Sequence, residues 1–487
     1  MELTSKINKS RLKDIALPMI LVGLSAFFAF VIARYNSAFG LLLIGAMVGI
    51  TVGFIALRFT FAGLQILILV GFVFADIGRL THNAIPFGVL IDTLMFVIFV
   101  GLIIKKRFRH ESFVAHLRHP IIYAYLVIIA YSLLQIGNPD GYGPSTTIVI
   151  LRRFIVLQMY LYCCIQIFDL PTFYRFLKYF MFYAVLAALY GCYQEWAGYP
   201  QYEMDHINSD PQLVALYASD VGGGFRKFST LTDPTAFGIL MAITAVISIA
   251  LIVTTKFTMV RFFILALSTM FLLLSMGYSG TRTAVAALTA GVAVYILMTL
   301  NNPKTLAFAA FAVMAFIVVI YGPIYGNPTI NRIRSTFEFN EDESLNVRNV
   351  NRHAIQPYMH SHPIGGGLGT TGGTPGEVAF SASYHPLAGF PSDSGFLKMA
   401  LEFGWIGLII QCIAFFIVLQ QGVHAYFRTT DRSYKRAYLL AVLTLFCFMM
   451  SHYTQVAIGP APGAFLFYAM IAGIVKLSRI EPPLKKK

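Results

Sequence analysis

Long apolar segments joined by polar links make up most of this chain. A helix needs about 20 mostly apolar residues to cross a bilayer. Because helices satisfy their backbone hydrogen bonds internally in lipid, we expect an all-α, polytopic transmembrane bundle with about 12–14 spans. The candidate spans are 14–34, 37–57, 60–77, 86–104, 120–137, 148–168, 173–193, 235–254, 260–277, 282–300, 304–323, 394–420, 436–457 and 461–478.

One long polar interval, residues 321–405, interrupts this pattern. The sequence therefore predicts three regions. A transmembrane bundle occupies 1–323 and includes an external loop at 194–234. A large extramembrane loop occupies 324–393, and C-terminal spans with a basic tail occupy 394–487. Chemistry is expected in the large loop.

Composition agrees with a membrane protein, since 57% of the residues are apolar and only 12% are charged, against about 25% charged in soluble domains. The five cysteines lie in apolar segments without metal-ligand spacing, so they are interpreted as packing residues. The first apolar run is long enough to span, and we expect no cleavable signal peptide.

The distribution of lysine and arginine predicts the orientation. With the N-terminus in the cytoplasm, 24 of the 36 basic residues fall in cytoplasmic segments and 12 on the other side. The positive-inside rule then places both termini in the cytoplasm. The net charge of +14 is explained by this bias, so no nucleic-acid partner is expected, whereas membrane lipid is.

Ten of the twelve external basic residues are arginine. A guanidinium binds phosphate oxygens in pairs and keeps its charge at any working pH. Any one arginine at a helix end can simply extend to the interface. Their number on the side away from the cytoplasm nevertheless predicts an anionic ligand.

The large loop has internal structure in its pattern. The spacing of apolar residues in 344–360 predicts an amphipathic helix, with an apolar stripe on one face and with Arg348 and Arg352 on another. His362 and Pro363 end it, and Gly365, Gly366 and Gly367 permit a tight turn or a close approach.

Four segments, in order, resemble the superfamily of O-antigen ligases and O-antigen or exopolysaccharide polymerases. They are Phe225–Gly238 (FRKFSTLTDPTAFG), Tyr278–Ala284 (YSGTRTA), 348–369 with the turn PIGGGLG, and 392–408 (SDSGFLKMALEFGWIGL). They cover about 185 residues, and all fall on the outer side of the predicted topology.

The resemblance implies an enzyme of the bacterial inner membrane with a periplasmic site. It would transfer an oligosaccharide from undecaprenyl pyrophosphate to an acceptor glycan or glycolipid. Polysaccharide-export or chain-length proteins are further candidate partners. Ligases of this family place histidine nine residues before Glu402, where this chain has Asp393. That difference favours a polymerase, or an aspartate as the base.

The site residues follow from the resemblance and from chemistry. Arginines near the leaving pyrophosphate would stabilise charge that grows in the transition state. We assign this binding to Arg226, Arg282, Arg348 and Arg352. Arg282 also counts as catalytic, because it opens a helix whose free amides suit an anion. Asp393 and His385 are the candidate bases.

Several alternatives stay open. Arg352 is equally compatible with a salt bridge to Glu341 or Asp342. Asp233 is interpreted as a helix cap before Pro234 rather than as a catalytic acid. We expect no cofactor and no metal, because the outer segments have no cation-binding motif. A ligase is the alternative to a polymerase, and a transporter or flippase of lipid-linked glycan is the alternative from another class.

Overall fold

A computed structural model describes residues 37–82, 87–219, 224–255, 258–323, 326–337, 343–371, 385–390 and 394–481, and the helical residues Gly23, Phe27 and Phe30. For 37–44, 328 and 343–348 it describes the backbone alone. The predicted span 14–34 lies almost entirely outside these residues, as does the basic tail at 485–487.

The described chain is helical and forms no strands. Its α-helices are α1 (Ser37–Arg58), α2 (Thr60–Leu80), α3 (Phe87–Phe108), α4 (Pro120–Leu134), α5 (Pro144–Ile167), α6 (Leu170–Trp196), α7 (Gln201–Asn208), α8 (Pro211–Tyr217), α9 (Pro234–Thr254), α10 (Met259–Tyr278), α11 (Arg282–Thr299), α12 (Pro303–Tyr321), α13 (Pro328–Arg334), α14 (Glu343–Ser361), α15 (Gly395–Glu402), α16 (Gly404–Arg428), α17 (Arg432–His452) and α18 (Gly463–Ile480).

Twelve helices in the described part of the chain are long and apolar enough to cross a membrane, which confirms the polytopic bundle. They are α2 to α6, α9 to α12 and α16 to α18, with α4 extended to Gly137. The short predicted span 60–77 is among them. Helix α1 occupies the predicted span 37–57.

Local chemistry starts several of these helices. Asp233 accepts hydrogen bonds from the amides of Thr235 and Ala236, both at 2.9 Å, immediately before Pro234. This confirms its interpretation as the cap of α9. Asp169 and Asn302 cap α6 and α12 in the same way, because a side-chain oxygen satisfies an amide that has no partner within the helix.

The structure divides the predicted span 394–420 into two helices. Phe403 ends α15, and Gly404 begins α16 with φ of +72°. A Cβ on Gly404 would lie 2.0 Å from the carbonyl oxygen of Pro363. The helix breaks at Gly404 because the backbone of the large loop, at Pro363, packs directly against that position. A hydropathy pattern does not reveal such a contact.

Helix α9 is central, since α10, α11 and α17 all pack along it. The three most enclosed spans, α9, α17 and α18, are 72%, 67% and 78% buried, against 6% for α12. Most of α12 therefore faces outward, while its ends are attached through contacts such as Thr305 to Thr299 at 3.1 Å.

The links between helices gather at two ends of the bundle. At the end that we call the loop end, the link 138–142 and the segments 197–233 and 322–403 contact one another or the adjoining helix ends. At the opposite, basic end, the Tyr174 hydroxyl donates to the Ser433 carbonyl at 2.6 Å. Which of these two ends faces the cytoplasm stays a prediction.

Candidate functional site

The turn Ser279-Gly280-Thr281, between α10 and α11, is the centre of the candidate site. Gly280 has φ of +60°, a conformation that glycine adopts without strain. The Ser279 hydroxyl donates to the Met276 carbonyl at 2.6 Å, and the Thr281 hydroxyl donates to the Pro234 carbonyl at 3.1 Å. These bonds attach the turn both to the end of α10 and to the start of α9.

Gly238 of α9 lets this turn approach the helix closely. A Cβ at that position would lie 2.2 Å from the Ser279 hydroxyl oxygen and 2.9 Å from the Thr281 Cβ. Real Cβ atoms essentially never approach other heavy atoms so closely. The glycine in the Thr235-Ala236-Phe237-Gly238 sequence thus has a structural explanation.

Arg226 contacts this turn directly. Its Nε donates to the Ser279 carbonyl at 3.0 Å, and its Nη2 donates to the Thr281 hydroxyl at 2.9 Å and the Thr235 hydroxyl at 3.4 Å. The guanidinium therefore lies over the junction of α9, α10 and α11. It reaches this position from a loop that lies 53 residues earlier than Ser279.

Two further arginines lie at the same turn. Arg282 is its next residue and is partly buried. Arg332 of α13 donates its Nε to the Gly280 carbonyl at 3.1 Å. Both line a pocket that also includes Gly277 and Thr329, with a volume of about 10 Å³. That is roughly the room one water needs, so the pocket itself is too small for a phosphate group.

The end of α17 connects this cluster to the large loop. The hydroxyls of Thr454 and Thr283 are 2.8 Å apart. Arg352 of α14 lies over the Tyr453 ring, with its guanidinium carbon 5.0 Å from the ring centroid, and donates to the Tyr453 hydroxyl at 3.4 Å. Arg352 therefore contacts Tyr453, and the next residue, Thr454, contacts Thr283 of α11, the helix that begins at Arg282.

Helix α14 confirms the predicted loop helix at 344–360 and extends over Glu343–Ser361. Its apolar stripe is not fully covered by the described residues, since Val350 is 66% exposed. Arg348 has its backbone in this helix, but its side chain is not among the described ones. Glu341 and Asp342, the alternative partners of Arg352, also lie outside the described residues.

The glycine turn of the large loop packs against protein backbone. The amides of Gly366 and Gly367 donate to the carbonyls of Leu401 and Glu402, at 2.8 and 3.1 Å. The Asn138 side chain donates to the Gly365 carbonyl at 3.0 Å. These glycines therefore attach the loop to the α15–α16 break and to the link after α4.

His385 belongs to this second cluster. Its Nδ1 accepts from the Leu387 amide at 3.0 Å, so Nε2 carries the proton and donates to the Asp140 carbonyl at 2.9 Å. The residue is 9% exposed. Burial is the main cause that lowers the pKa of His385, ahead of opposing contributions from Asp140. Action as a base would require His385 to break the hydrogen bond from Leu387.

Asp393 lies outside the described residues. The chain is described again from Ser394, whose hydroxyl accepts from the Leu397 amide at 3.4 Å and caps α15. Glu402, at the end of α15, is 4% exposed, accepts from the Thr371 hydroxyl and lies 3.8 Å from the Lys398 ammonium. These contacts give Glu402 a structural role, since they attach the end of α15 to the large loop and to Lys398.

Aromatic side chains flank the 279–281 turn. Trp196 is 64% exposed, and its indole nitrogen donates to the Tyr278 hydroxyl at 3.3 Å. Tyr199 is stacked on Phe228 instead, with ring centroids 5.4 Å apart. Of these rings, Trp196 has the exposed face beside the turn that a sugar ring could stack on.

The remaining outer arginines show that the residue type alone does not identify the site. Arg79 is 3% exposed and donates to the carbonyls of Ser229 and Leu231. Arg334 donates to the carbonyls of Val319 and Gly322. Both attach loops to helices. Arg152 instead pairs with Asp92 at 2.8 Å, with its own side chain about half exposed on α5.

Sequence reasoning did not select Arg332, Tyr453 or Thr454. Arg332 is one of the ten external arginines, but nothing in its neighbourhood along the chain distinguishes it from Arg334. Tyr453 and Thr454 directly follow an apolar span and carry no motif. Within the described residues, no group of three or more His, Cys, Asp or Glu side chains could hold a metal ion.

Comparison with known protein families gives a match over part of the chain. Residues 267–412 match the family described as O-antigen ligase. That region includes Arg282, Arg332 and the whole of α14, and it begins after Arg226. No curated protein matches the chain.

Proposed function

We propose that this chain polymerises O-antigen or exopolysaccharide repeat units. The match of residues 267–412 to the O-antigen ligase family supports the resemblance to the O-antigen ligase and polymerase superfamily. The donor is an oligosaccharide on undecaprenyl pyrophosphate, and the acceptor is a hydroxyl of another glycan. The loop end faces the periplasm from the bacterial inner membrane, with both termini in the cytoplasm.

The observation that supports this proposal is the convergence of Arg226, Arg282 and Arg332 on one turn. The bond from the sugar to the pyrophosphate breaks during transfer, so negative charge grows on the leaving oxygen. Fixed guanidiniums stabilise that charge more in the transition state than in the ground state. Arg352 and Arg348, from α14, complete the pyrophosphate site.

The reaction balances without a cofactor. The acceptor oxygen forms a bond to the anomeric carbon while that carbon loses its bond to phosphate. The acceptor proton passes to a base, and undecaprenyl pyrophosphate leaves with the bonding electron pair. Asp393 is our first candidate for the base. His385 is the second, because its lone pair already accepts a hydrogen bond.

A ligase that transfers the finished glycan to lipid A core or to protein is the second candidate. The family description favours it. The aspartate at position 393, where ligases of the family have histidine, favours the polymerase. The same match supports a glycan-transferring enzyme over the transporter alternative.

Surface glycan of a deletion strain distinguishes the two enzymes. Loss of a polymerase leaves single repeat units on lipid A core, whereas loss of a ligase leaves full-length chains on the carrier lipid. The proposal of a polymerase is rejected if the deleted strain accumulates long lipid-linked chains. Return of the wild-type pattern on complementation is the control.

Arg282→Ala tests the site. Removal of one charged donor to a transition state typically costs about 100- to 1,000-fold in turnover, and we expect a loss of that size. Arg282→Lys should recover part of it, because the charge remains without the paired geometry. Arg152→Ala is the matched control, since that arginine pairs with Asp92 away from the turn. Normal elongation by Arg282→Ala would exclude this site.

A further inference from the structure

The segment that follows Arg226 is held by two buried side chains, each from a long apolar helix. The Gln194 Oε1 accepts from the Ser229 amide at 2.8 Å. Arg79 donates to the Ser229 carbonyl at 3.1 Å, and its guanidinium carbon lies 4.2 Å from the centroid of the Phe228 ring. Both faces of the Ser229 peptide are therefore fixed by helices α2 and α6.

The orientation of the Gln194 amide is set by Glu203 of α7. The Gln194 Nε2 donates to both Glu203 oxygens, at 2.8 and 3.0 Å, and the Tyr190 hydroxyl donates to the same carboxylate at 3.0 Å. If the amide were reversed, its NH₂ group would face the Ser229 amide, and two donors would meet. The carboxylate thus makes the hydrogen-bond chain directional.

This chain of contacts is fully enclosed. Gln194, Glu203 and Ser229 are each 0% exposed. Burial is the main cause that raises the pKa of Glu203 to about 7. Apolar residues already pack this loop around Tyr217 and Phe228. The loop therefore does not need buried polar groups in order to pack. Buried polar groups that are fully paired specify one arrangement of the backbone.

The same segment determines where Arg226 lies. The Arg226 amide donates to the Tyr217 carbonyl at 2.8 Å, and the Tyr199 hydroxyl donates to the Arg226 carbonyl at 3.0 Å. Ser229 is three residues further along. With the backbone fixed on both sides, the guanidinium reaches the Ser279 carbonyl at 3.0 Å.

We propose that Gln194 and Glu203 are positioning residues for glycan transfer, which hold the backbone that places the Arg226 guanidinium on the 279–281 turn. The inference rests on the proposed function, because it assigns a purpose to the placement of Arg226. Neither residue touches the turn itself.

A reciprocal exchange tests the hydrogen-bond chain. We expect Gln194→Glu and Glu203→Gln each to lower transfer about 10- to 100-fold, because positioning errors of about 1 Å cost up to about 100-fold. The double variant should return to within about threefold of wild type. Its new carboxylate at 194 accepts from Ser229, and its new amide at 203 donates to that carboxylate. Single variants with wild-type rates would overturn the proposal, as would a double variant no better than the singles.

Arg226→Ala separates positioning from a general role in folding. Rates are compared per amount of monodisperse protein after gel filtration. If the network acts through Arg226, Gln194→Glu lowers the rate of an Arg226→Ala protein no further, whereas an additional 10-fold loss would overturn the proposal. If Gln194→Glu does not accumulate, Tyr190→Phe replaces it and should lose about three- to tenfold in the wild-type background only. A fully active Arg226→Ala protein would instead refute the proposed pyrophosphate site, a result distinct from failure of the exchange.

Discussion

Gly238→Ala is the most direct test of the 279–281 turn as the centre of the site. The new Cβ would lie 2.2 Å from the Ser279 hydroxyl oxygen and 2.9 Å from the Thr281 Cβ, whereas ordinary contact begins at 3.4 Å. The shortfall at Ser279 is 3.4 − 2.2 = 1.2 Å. Rotation of the Ser279 hydroxyl cannot relieve it, since the Thr281 carbon is also too close. The turn must therefore move relative to α9.

That movement displaces the two acceptors of Arg226 on the turn, the Ser279 carbonyl and the Thr281 hydroxyl. A misplacement of about 1 Å at a positioning contact can cost about 100-fold in rate, and we expect a loss of about that size. Alanine is a better helix former than glycine by about 1 kcal/mol. This preference partly offsets the strain, so the protein should still accumulate.

The assay measures lipid pyrophosphate released from a lipid-linked donor by purified protein in nanodiscs. Gly53→Ala is the matched control, because a Cβ at that position in α1 meets nothing within 4 Å. It should retain the wild-type rate. A Gly238→Ala protein within threefold of wild type would refute the reasoning, because the turn would then tolerate displacement without loss of catalysis.

Three other predictions concern the base, the buried acid and the metal. His385→Asn should lower the melting temperature by a few degrees and keep turnover within about tenfold of wild type, because Asn can accept the hydrogen bond from the Leu387 amide. Abolished turnover at an unchanged melting temperature would identify His385 as the base. Glu203 has its pKa raised by burial from 4.5 to about 7, so its contribution to stability is complete below pH 4.5 and is lost as the pH rises through 7. The melting temperature should fall across that window in wild type but not in Glu203→Gln, and equal pH profiles would contradict this. Transfer should survive a chelator such as EDTA, and loss of activity that Mg²⁺ restores would refute metal independence.

Much of the fold could be read from local pattern. The spans follow from runs of apolar residues. The start of α9 follows from two residues: Asp233, whose side chain accepts hydrogen bonds from backbone amides, and Pro234, whose ring fixes φ at a helical value. Helix α14 follows from the helical spacing of its apolar residues. The break at Gly404 could not be read in this way, because it depends on contact with the Pro363 carbonyl, 41 residues earlier.

The sequence by itself determined the membrane bundle, the large loop and the family resemblance, since each depends on composition, period or short motifs. Only the tertiary structure decided which outer arginines lie together. Arg79 and Arg334 hold loops in place, whereas Arg226 and Arg332 meet at one turn. The reason is that α10 and α11 both pack on α9, and Gly238 lets their connecting turn approach it. Which helix ends become neighbours is a property of packing, and no local pattern along the chain encodes it.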